Sequence, residues 1–222
     1  MQILQLELAT HHLRQQHGFY RDVLGLPVVE DTANRIVFQV GTSLLSFVQA
    51  SEPMAGSYHF AFNIPENQFA QGKAWLQQRV ALLTNSAGAD EYAFESWNAH
   101  AVYFLDPAGN IAELIARHAL PNASSAPFSA QSLLSVSEIG IAASDVLAHV
   151  SVITTRGGLP VYAGPASPAF TAIGDEHGLF IVVPEHRIWH PETGRAAVQL
   201  PITVATSIAD HSLTWKFPLE ED

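Results

Sequence analysis

Glu113 lies within the run Ile111-Ala112-Glu113-Leu114-Ile115, where every neighbour is apolar. A carboxylate buried in such a strand is costly unless an opposite charge or hydrogen-bond donors meet it. Alternation of side chains across a strand supplies two further polar residues. Over residues 3–9, Leu4, Leu6 and Leu8 point one way, and Gln5, Glu7 and Ala9 the other. Over residues 58–64, Tyr58, Phe60, Phe62 and Ile64 oppose His59, Ala61 and Asn63. If the leucine and phenylalanine faces pack beneath helices, Gln5, His59 and Glu113 all project from the opposite side of a sheet. An amide, an imidazole and a carboxylate on one face can serve proton-transfer or ligand chemistry. An ion pair of Glu113 with a buried Arg or His is the alternative. The chain contains no cysteine, which removes thiolate nucleophiles, disulfides and Cys-based metal sites.

The elements that would position these residues recur in a fixed order. A strand over residues 3–9 precedes a helical stretch over 13–24 that Gly25 ends, followed by strands over 26–29, 35–40 and 43–49. The βαβββ order repeats. A strand over 58–64 leads through Pro65, suited to a first helical turn, into a helix with Phe69, Trp75, Leu76 and Val80 on its apolar face. Residues 81–84 and a hairpin over 101–116, turning at Asp106, Pro107, Gly109 and Asn110, complete this second copy. A third copy runs from a strand over 139–143 through a helix capped by Asp145 to residues 160–162 and a hairpin turning at 174–178. The phrase GLPVV at 25–29 returns as GLPVY at 158–162, at the same point in the order. Between copies two and three, HALPNASSAPFSAQS (118–132) reads as a linker. After Pro184 too little chain remains for a fourth module, and residues 198–204, interrupted by Pro201, read as one edge strand.

Composition narrows the function classes. The 222 residues are 48% hydrophobic and 14% charged, as in a compact globular protein. Ten Lys plus Arg against 21 Asp plus Glu give a net charge of −11, a poor match for a phosphate backbone, so nucleic-acid binding is not expected. Nowhere do 18 apolar residues run together, and residues 1–10 lack the basic and apolar regions of a signal peptide. A soluble, cytoplasmic protein without membrane partners is the expectation.

The phrases HGFYRDVLGLPVV (17–29), YHFAFNI (58–64) and YFLDPAGNIAEL (103–114) resemble the vicinal oxygen chelate superfamily of glyoxalase I, extradiol dioxygenases, fosfomycin-thiol transferases and bleomycin-resistance proteins. The resemblance covers residues 1–118 well and the remainder through the module repeat. It implies an α+β fold in which two βαβββ modules curve into a cup around a divalent metal, with ligands from the first strand of each module and the last strand of the second. Those positions are Gln5, His59 and Glu113. A divalent ion would hold a buried carboxylate ionised, and imidazole with carboxylate oxygen suits Zn, Ni, Mn or Fe(II) without distinguishing among them. Gln5 stands where the ring-cleaving dioxygenases have a histidine and looks more like some glyoxalase I enzymes. The further carboxylate those enzymes carry on the last strand of module one is here counted onto Leu45.

Other residues complete the candidate site. Tyr103 lies on the strand antiparallel to that of Glu113, and Trp97 precedes it; both are candidate substrate contacts. Glu7 and His100 are the candidate general acid or base. Glu138 is the third-module counterpart of Gln5, but the hairpin position counted as matching Glu113 is Val182, so no second metal site is expected. The cluster PEHRIWHPETGR (184–195) reads as a surface loop able to fold over the cup. The organisation expected is a two-module domain over 1–118, a linker over 119–133, and a third module with a C-terminal extension over 134–222. The third module's open face needs a partner, either the chain's own C-terminal strand or a second subunit, and a homodimer with the C-terminal extension at its edge is the expectation. The function implied is metal-dependent lyase or isomerase chemistry on a small substrate that chelates through adjacent oxygens. Ring-cleaving dioxygenation and metal-free drug binding of the bleomycin-resistance kind are the alternatives.

Overall fold

A computed structural model describes residues 1–52, 54–209 and 211–219. The first module consists of β1 (Gln2–Thr10), α1 (Leu13–Gly18), β2 (Val28–Asp31), β3 (Arg35–Val40) and β4 (Ser43–Gln49). The second consists of β5 (His59–Ile64), α2 (Phe69–Gln77), β6 (Tyr92–Phe94), β7 (Ala99–Leu105) and β8 (Ile111–Arg117). The third has β9 (Ser135–Ala143), α3 (Val146–Gly157), β10 (Thr171–Asp175) and β11 (Gly178–Pro184), and a hairpin of β12 (Ile202–Ile208) and β13 (His211–Phe217) ends the chain. In each module the first and last strands are parallel neighbours joined through a helix, and the rest of the module is antiparallel.

The helices form where apolar residues face inward and end where the sequence stops them. Asp145 accepts from the Ala148 N–H to cap α3, and Gly158, at φ 61°, closes it in a left-handed conformation. The helix expected over 13–24 is α-helical only to Gly18 and continues as a π-helical turn over Phe19–Val23 that buries Tyr20. The expected strand over 160–162 is a single bridge from Val161 to Ile173.

The modules combine in a way the sequence did not reveal. Two sheets form, in the orders β13-β12-β1-β4-β3-β2 and β10-β11-β9-β5-β8-β7-β6. The second module therefore shares its sheet with the third, through antiparallel β5 and β9, and the first module shares its sheet with the C-terminal hairpin. Modules one and two, expected to close one cup together, lie in different sheets. The third module's partner is β5 of its own chain, which removes the reason for expecting a second subunit there. The C-terminal strand is not an edge either: β12 begins one residue after Pro201 and sits between β1 and β13. Proline thus stays outside the ladder, and its carbonyl accepts from the Tyr58 hydroxyl at 2.8 Å. The β13 strand was not expected from the sequence, although Leu213, Trp215 and Phe217 alternate with Ser212, Thr214 and Lys216 as in a strand with one buried face. Trp215 is fully buried, with its indole N–H on Thr206 Oγ1 at 3.0 Å.

Two polar devices fix the frame. Ser43 donates to the Ile3 carbonyl at 2.6 Å and accepts from the Val136 N–H at 2.9 Å, tying the sheets together. Asp106 accepts from Gln16 Nε2 at 2.6 Å, the Tyr20 hydroxyl at 3.1 Å and Asn110 Nδ2 at 2.8 Å. Asn110 in turn accepts from the Tyr58 N–H at 3.0 Å, setting the start of β5 beside the start of β8. The FY helix and the DP-x-G-N turn are therefore one buried hydrogen-bonded unit, and it aligns the strands that carry His59 and Glu113. Among the described residues no helix is long and apolar enough to cross a membrane.

Candidate metal centre

Register across the second sheet gathers the site. Tyr103 on β7 lies opposite Glu113 on β8, Glu113 lies opposite Ala61 on β5, and Ala61 lies opposite Glu138 on β9. Neighbouring strands are roughly 4.8 Å apart, so the two glutamate backbones stand about 10 Å apart with Ala61 between them. The alanine methyl leaves open the space over which both carboxylates lean. His59, two residues earlier on β5 and on the same face, brings Nε2 to 3.5 Å from Glu113 Oε2. One ligand atom from each of His59, Glu113 and Glu138 lies within 4.8 Å of the others, and all three residues are buried.

The electrostatics separate the two carboxylates. Glu113 is raised well above the usual carboxylate range, first by burial and then by the charge of Glu138, with Arg117 and the Tyr103 hydroxyl opposing. Glu138 is also raised by burial, but Arg117 Nη2 donates directly to its Oε1. Arg117 is fully buried, its guanidinium stacks over Trp97 at 5.4 Å, and its Nε and Nη1 have no partner among the described residues. Burial lowers His59 to about 4, so it stands as a neutral imidazole, the form that ligates metal, and its contact with Glu113 is not an ion pair.

A cavity of about 320 Å³ opens above this row. Trp97 and Tyr103 line it with the three polar residues, joined by Phe94, Phe170 and His190. The segment after β11 folds back over it, as expected for 184–195. Its Trp189 packs 5.3 Å from the His59 ring, and a Cβ on Gly140 would lie 2.5 Å from the Trp189 ring, so only glycine admits the indole. His190 stacks on Tyr103 at 5.1 Å and Tyr92 at 4.6 Å.

The remaining sequence candidates lie elsewhere. Gln5 is in the first sheet, where its amide reaches Ser46 Oγ at 3.3 Å, so Glu138 and not Gln5 stands with His59 and Glu113. The reason is the pairing of β5 with β9 in place of β1. Glu7 is held by Arg35 at 3.1 Å in that same first sheet. His100, three residues before Tyr103, falls on the opposite face of β7, where it meets His118 at 2.8 Å and the Phe69 ring at 5.4 Å. An odd offset along a strand reverses direction, and that rule alone excludes it from the cup. Counting from turn glycines also slipped: register makes Ser46 and Ile181, not Leu45 and Val182, the counterparts of Glu113. Arg117 was missed, although it is four residues beyond Glu113 on the same face; strand alternation contained that signal.

No protein-family model matches the chain, and no curated protein matches it. Solved structures do. A protein from Bacillus subtilis subsp. subtilis str. 168, described as a candidate dioxygenase, superposes with a TM-score of 0.62 at 16% identity, over 82% of this chain and 63% of that one. This chain thus spans less than two thirds of that protein's length. Lactoylglutathione lyase from Agrobacterium tumefaciens matches at 23% identity and a TM-score of 0.41, over 50% of this chain and 90% of that one. The fosfomycin resistance protein FosX from Mesorhizobium loti matches at 17% identity and a TM-score of 0.37, over 50% and 87%. With βαβββ modules paired into curved sheets and a superposition covering most of its length, the chain has the vicinal oxygen chelate fold of the glyoxalase, bleomycin-resistance and dioxygenase proteins.

Proposed function

We propose that this protein is a metal-dependent enzyme acting on a small substrate that chelates through adjacent oxygens. The observation that carries this reading is the convergence of His59, Glu113 and Glu138 within 4.8 Å at the closed end of an aromatic cavity. The residues fit a divalent ion. The imidazole is neutral, its Nε2 faces Glu113 at 3.5 Å, and no Lys or Arg pairs directly with Glu113 among the described residues. One nitrogen and two carboxylate oxygens suit Zn, Mn, Ni or Fe(II). A bound ion would supply Lewis acidity, stabilising negative charge on a substrate oxygen.

The chain's own residues do the rest. Trp97, Tyr103 and Trp189 exclude water and hold a flat substrate, and the Tyr103 hydroxyl beside Glu113 orients its oxygens. His190 lines the same cavity edge-on against Tyr103, which makes its imidazole the candidate proton carrier. Lyase or isomerase chemistry, in which a proton moves while an oxyanion is held, matches this set. Ring-cleaving dioxygenation is the second reading, favoured by the aromatic walls and set against by a donor set with one histidine and two carboxylates.

Calorimetric titration with manganese and zinc tests the proposal. Wild type and Gln5→Ala should bind alike, whereas His59→Ala, Glu113→Ala and Glu138→Ala should each lose affinity by more than about tenfold, since loss of even an outer-shell partner of a metal ligand costs about 10–100-fold. Binding unchanged in all three ligand variants, or absent from wild type, would reduce the cup to a binding groove of the bleomycin-resistance kind.

A further inference from the structure

Among the described residues the cavity wall has one Lys or Arg side chain, Arg187, and it is exposed at the surface end. Its guanidinium lies over the Phe170 ring at 5.0 Å, and Nη1 donates to the Ala169 carbonyl at 3.0 Å. No carboxylate pairs with it among the described residues, so its other N–H groups remain available. Partial burial by the aromatic wall makes the charge costlier, a cost that an anionic partner would offset. The closed end also favours an anion. Glu113 and Glu138 carry two negative charges, Arg117 one positive charge, and a divalent ion two more, which leaves that end positive by one. Between the ends the walls are ring faces, Trp97 and Phe170 on one side of the mouth and Trp189 against His59 deeper in. A volume of about 320 Å³ is at the small end for ligand sites, enough for a single substituted ring.

We infer that the substrate class is a small aromatic acid, its vicinal oxygens directed to the His59, Glu113 and Glu138 end and its carboxylate taken by Arg187 at the mouth. This rests on the metal-site reading for the oxygen end only. The carboxylate end stands on Arg187 and the rings. A planar guanidinium is suited to a carboxylate because it offers two parallel N–H donors.

The test uses the full chain and two probes, 3,4-dihydroxybenzoate and catechol, which share the vicinal hydroxyls and differ by the carboxylate. Quenching of Trp97 and Trp189 fluorescence reports binding. The manganese-loaded protein should bind 3,4-dihydroxybenzoate at least about tenfold more tightly than catechol, the effect of one charge-assisted pair. Arg187→Met should erase that preference while leaving catechol and manganese affinities unchanged. Arg187 is exposed on the segment after β11, so the variant keeps its fold. Arg187→Lys should retain part of the preference. Equal affinity of wild type for both probes, or an equal loss for both in Arg187→Met, overturns the proposal. A failure of the metal reading looks different: no manganese binding, with a carboxylate preference that still depends on Arg187.

Discussion

Glu113→Gln and Glu138→Gln should shift the stability of the metal-free protein in opposite directions, although both replace a glutamate on the same row of one sheet. Glu138 shares a buried pair with Arg117, whose side chain is 0% exposed. Removing one partner of such a pair leaves an uncompensated charge and costs about 3–5 kcal/mol. The lower end applies here, because Glu138 and Glu113 repel each other and the substitution relieves that repulsion. At about 2–4 °C per kcal/mol for a chain of this size, a loss of about 3 kcal/mol lowers the melting temperature by roughly 6–12 °C. Glu113 is different: burial and Glu138 raise it well above the usual carboxylate range, and among the described residues its one basic neighbour in contact is the neutral His59 imidazole. A carboxyl group raised on folding contributes stability below its unfolded value and loses it as pH rises through the folded value. Glutamine carries no such penalty, so Glu113→Gln should raise the melting temperature, by more at pH 8 than at pH 5. Differential scanning calorimetry in EDTA across that range reads both effects. Saturating metal should lift wild type above Glu113→Gln, since the tighter binder gains more stability from a ligand that binds the native state. The reasoning is refuted if both variants move the same way in EDTA, or if Glu113→Gln is the more damaging.

Three further outcomes follow from the packing. Ala61→Leu fills the space between the two carboxylates and should abolish calorimetric metal binding, with an overpacking cost of about 1–3 kcal/mol seen in thermal melts. Gly140→Ala places a Cβ 2.5 Å from the Trp189 ring and should displace that indole, read as a red shift and faster acrylamide quenching of tryptophan fluorescence. Asp106→Ala leaves Gln16, Tyr20 and Asn110 without their shared acceptor and should cost more than about 3 kcal/mol in urea unfolding, whereas Tyr20→Phe should cost only about 1 kcal/mol.

Much of this was legible in the sequence because it is local. Strand alternation needs only neighbours in the chain, and it placed His59 and Glu113 on one face; the hairpin read from its turn residues put Tyr103 on the strand beside Glu113. The DP-x-G-N turn and the FY helix were recognised separately, and Asp106 now shows why they occur together: one carboxylate accepts from both. What failed was non-local. Each module offers its first strand as a free edge, and β1, β5 and β9 are alike enough that their own patterns cannot say which edges join. The chain resolves the choice through residues outside those strands. Ser43 bonds both Ile3 and Val136, and Gly41 takes a positive φ of 53° where a Cβ would lie 1.9 Å from the Leu134 carbonyl. These contacts seat the entry to β9 against the β3–β4 turn and so deliver β9 to β5.

The C-terminal hairpin completes the logic. With β9 committed to β5, the first strand of module one would be an open edge of apolar Ile3, Leu6 and Leu8, the kind of edge that invites aggregation. The β12–β13 hairpin covers it with two strands where a full module would supply four, and Trp215 and Phe217 fill the core behind them. The half-module leaves one face of the first sheet without an apolar cover, carrying half-buried Gln5 and Glu7 and buried Ser46, with Gln5 bonded to Ser46 and Arg35 bonded to both Ser46 and Glu7. The segment that joins β11 to β12 lies instead over the second sheet, supplying Arg187, Trp189 and His190 to its cup. One shortened module therefore accounts for the departure from the sequence expectation, Gln5 standing apart from the candidate site, and leaves residues 184–195 to fold over the cup as the sequence suggested.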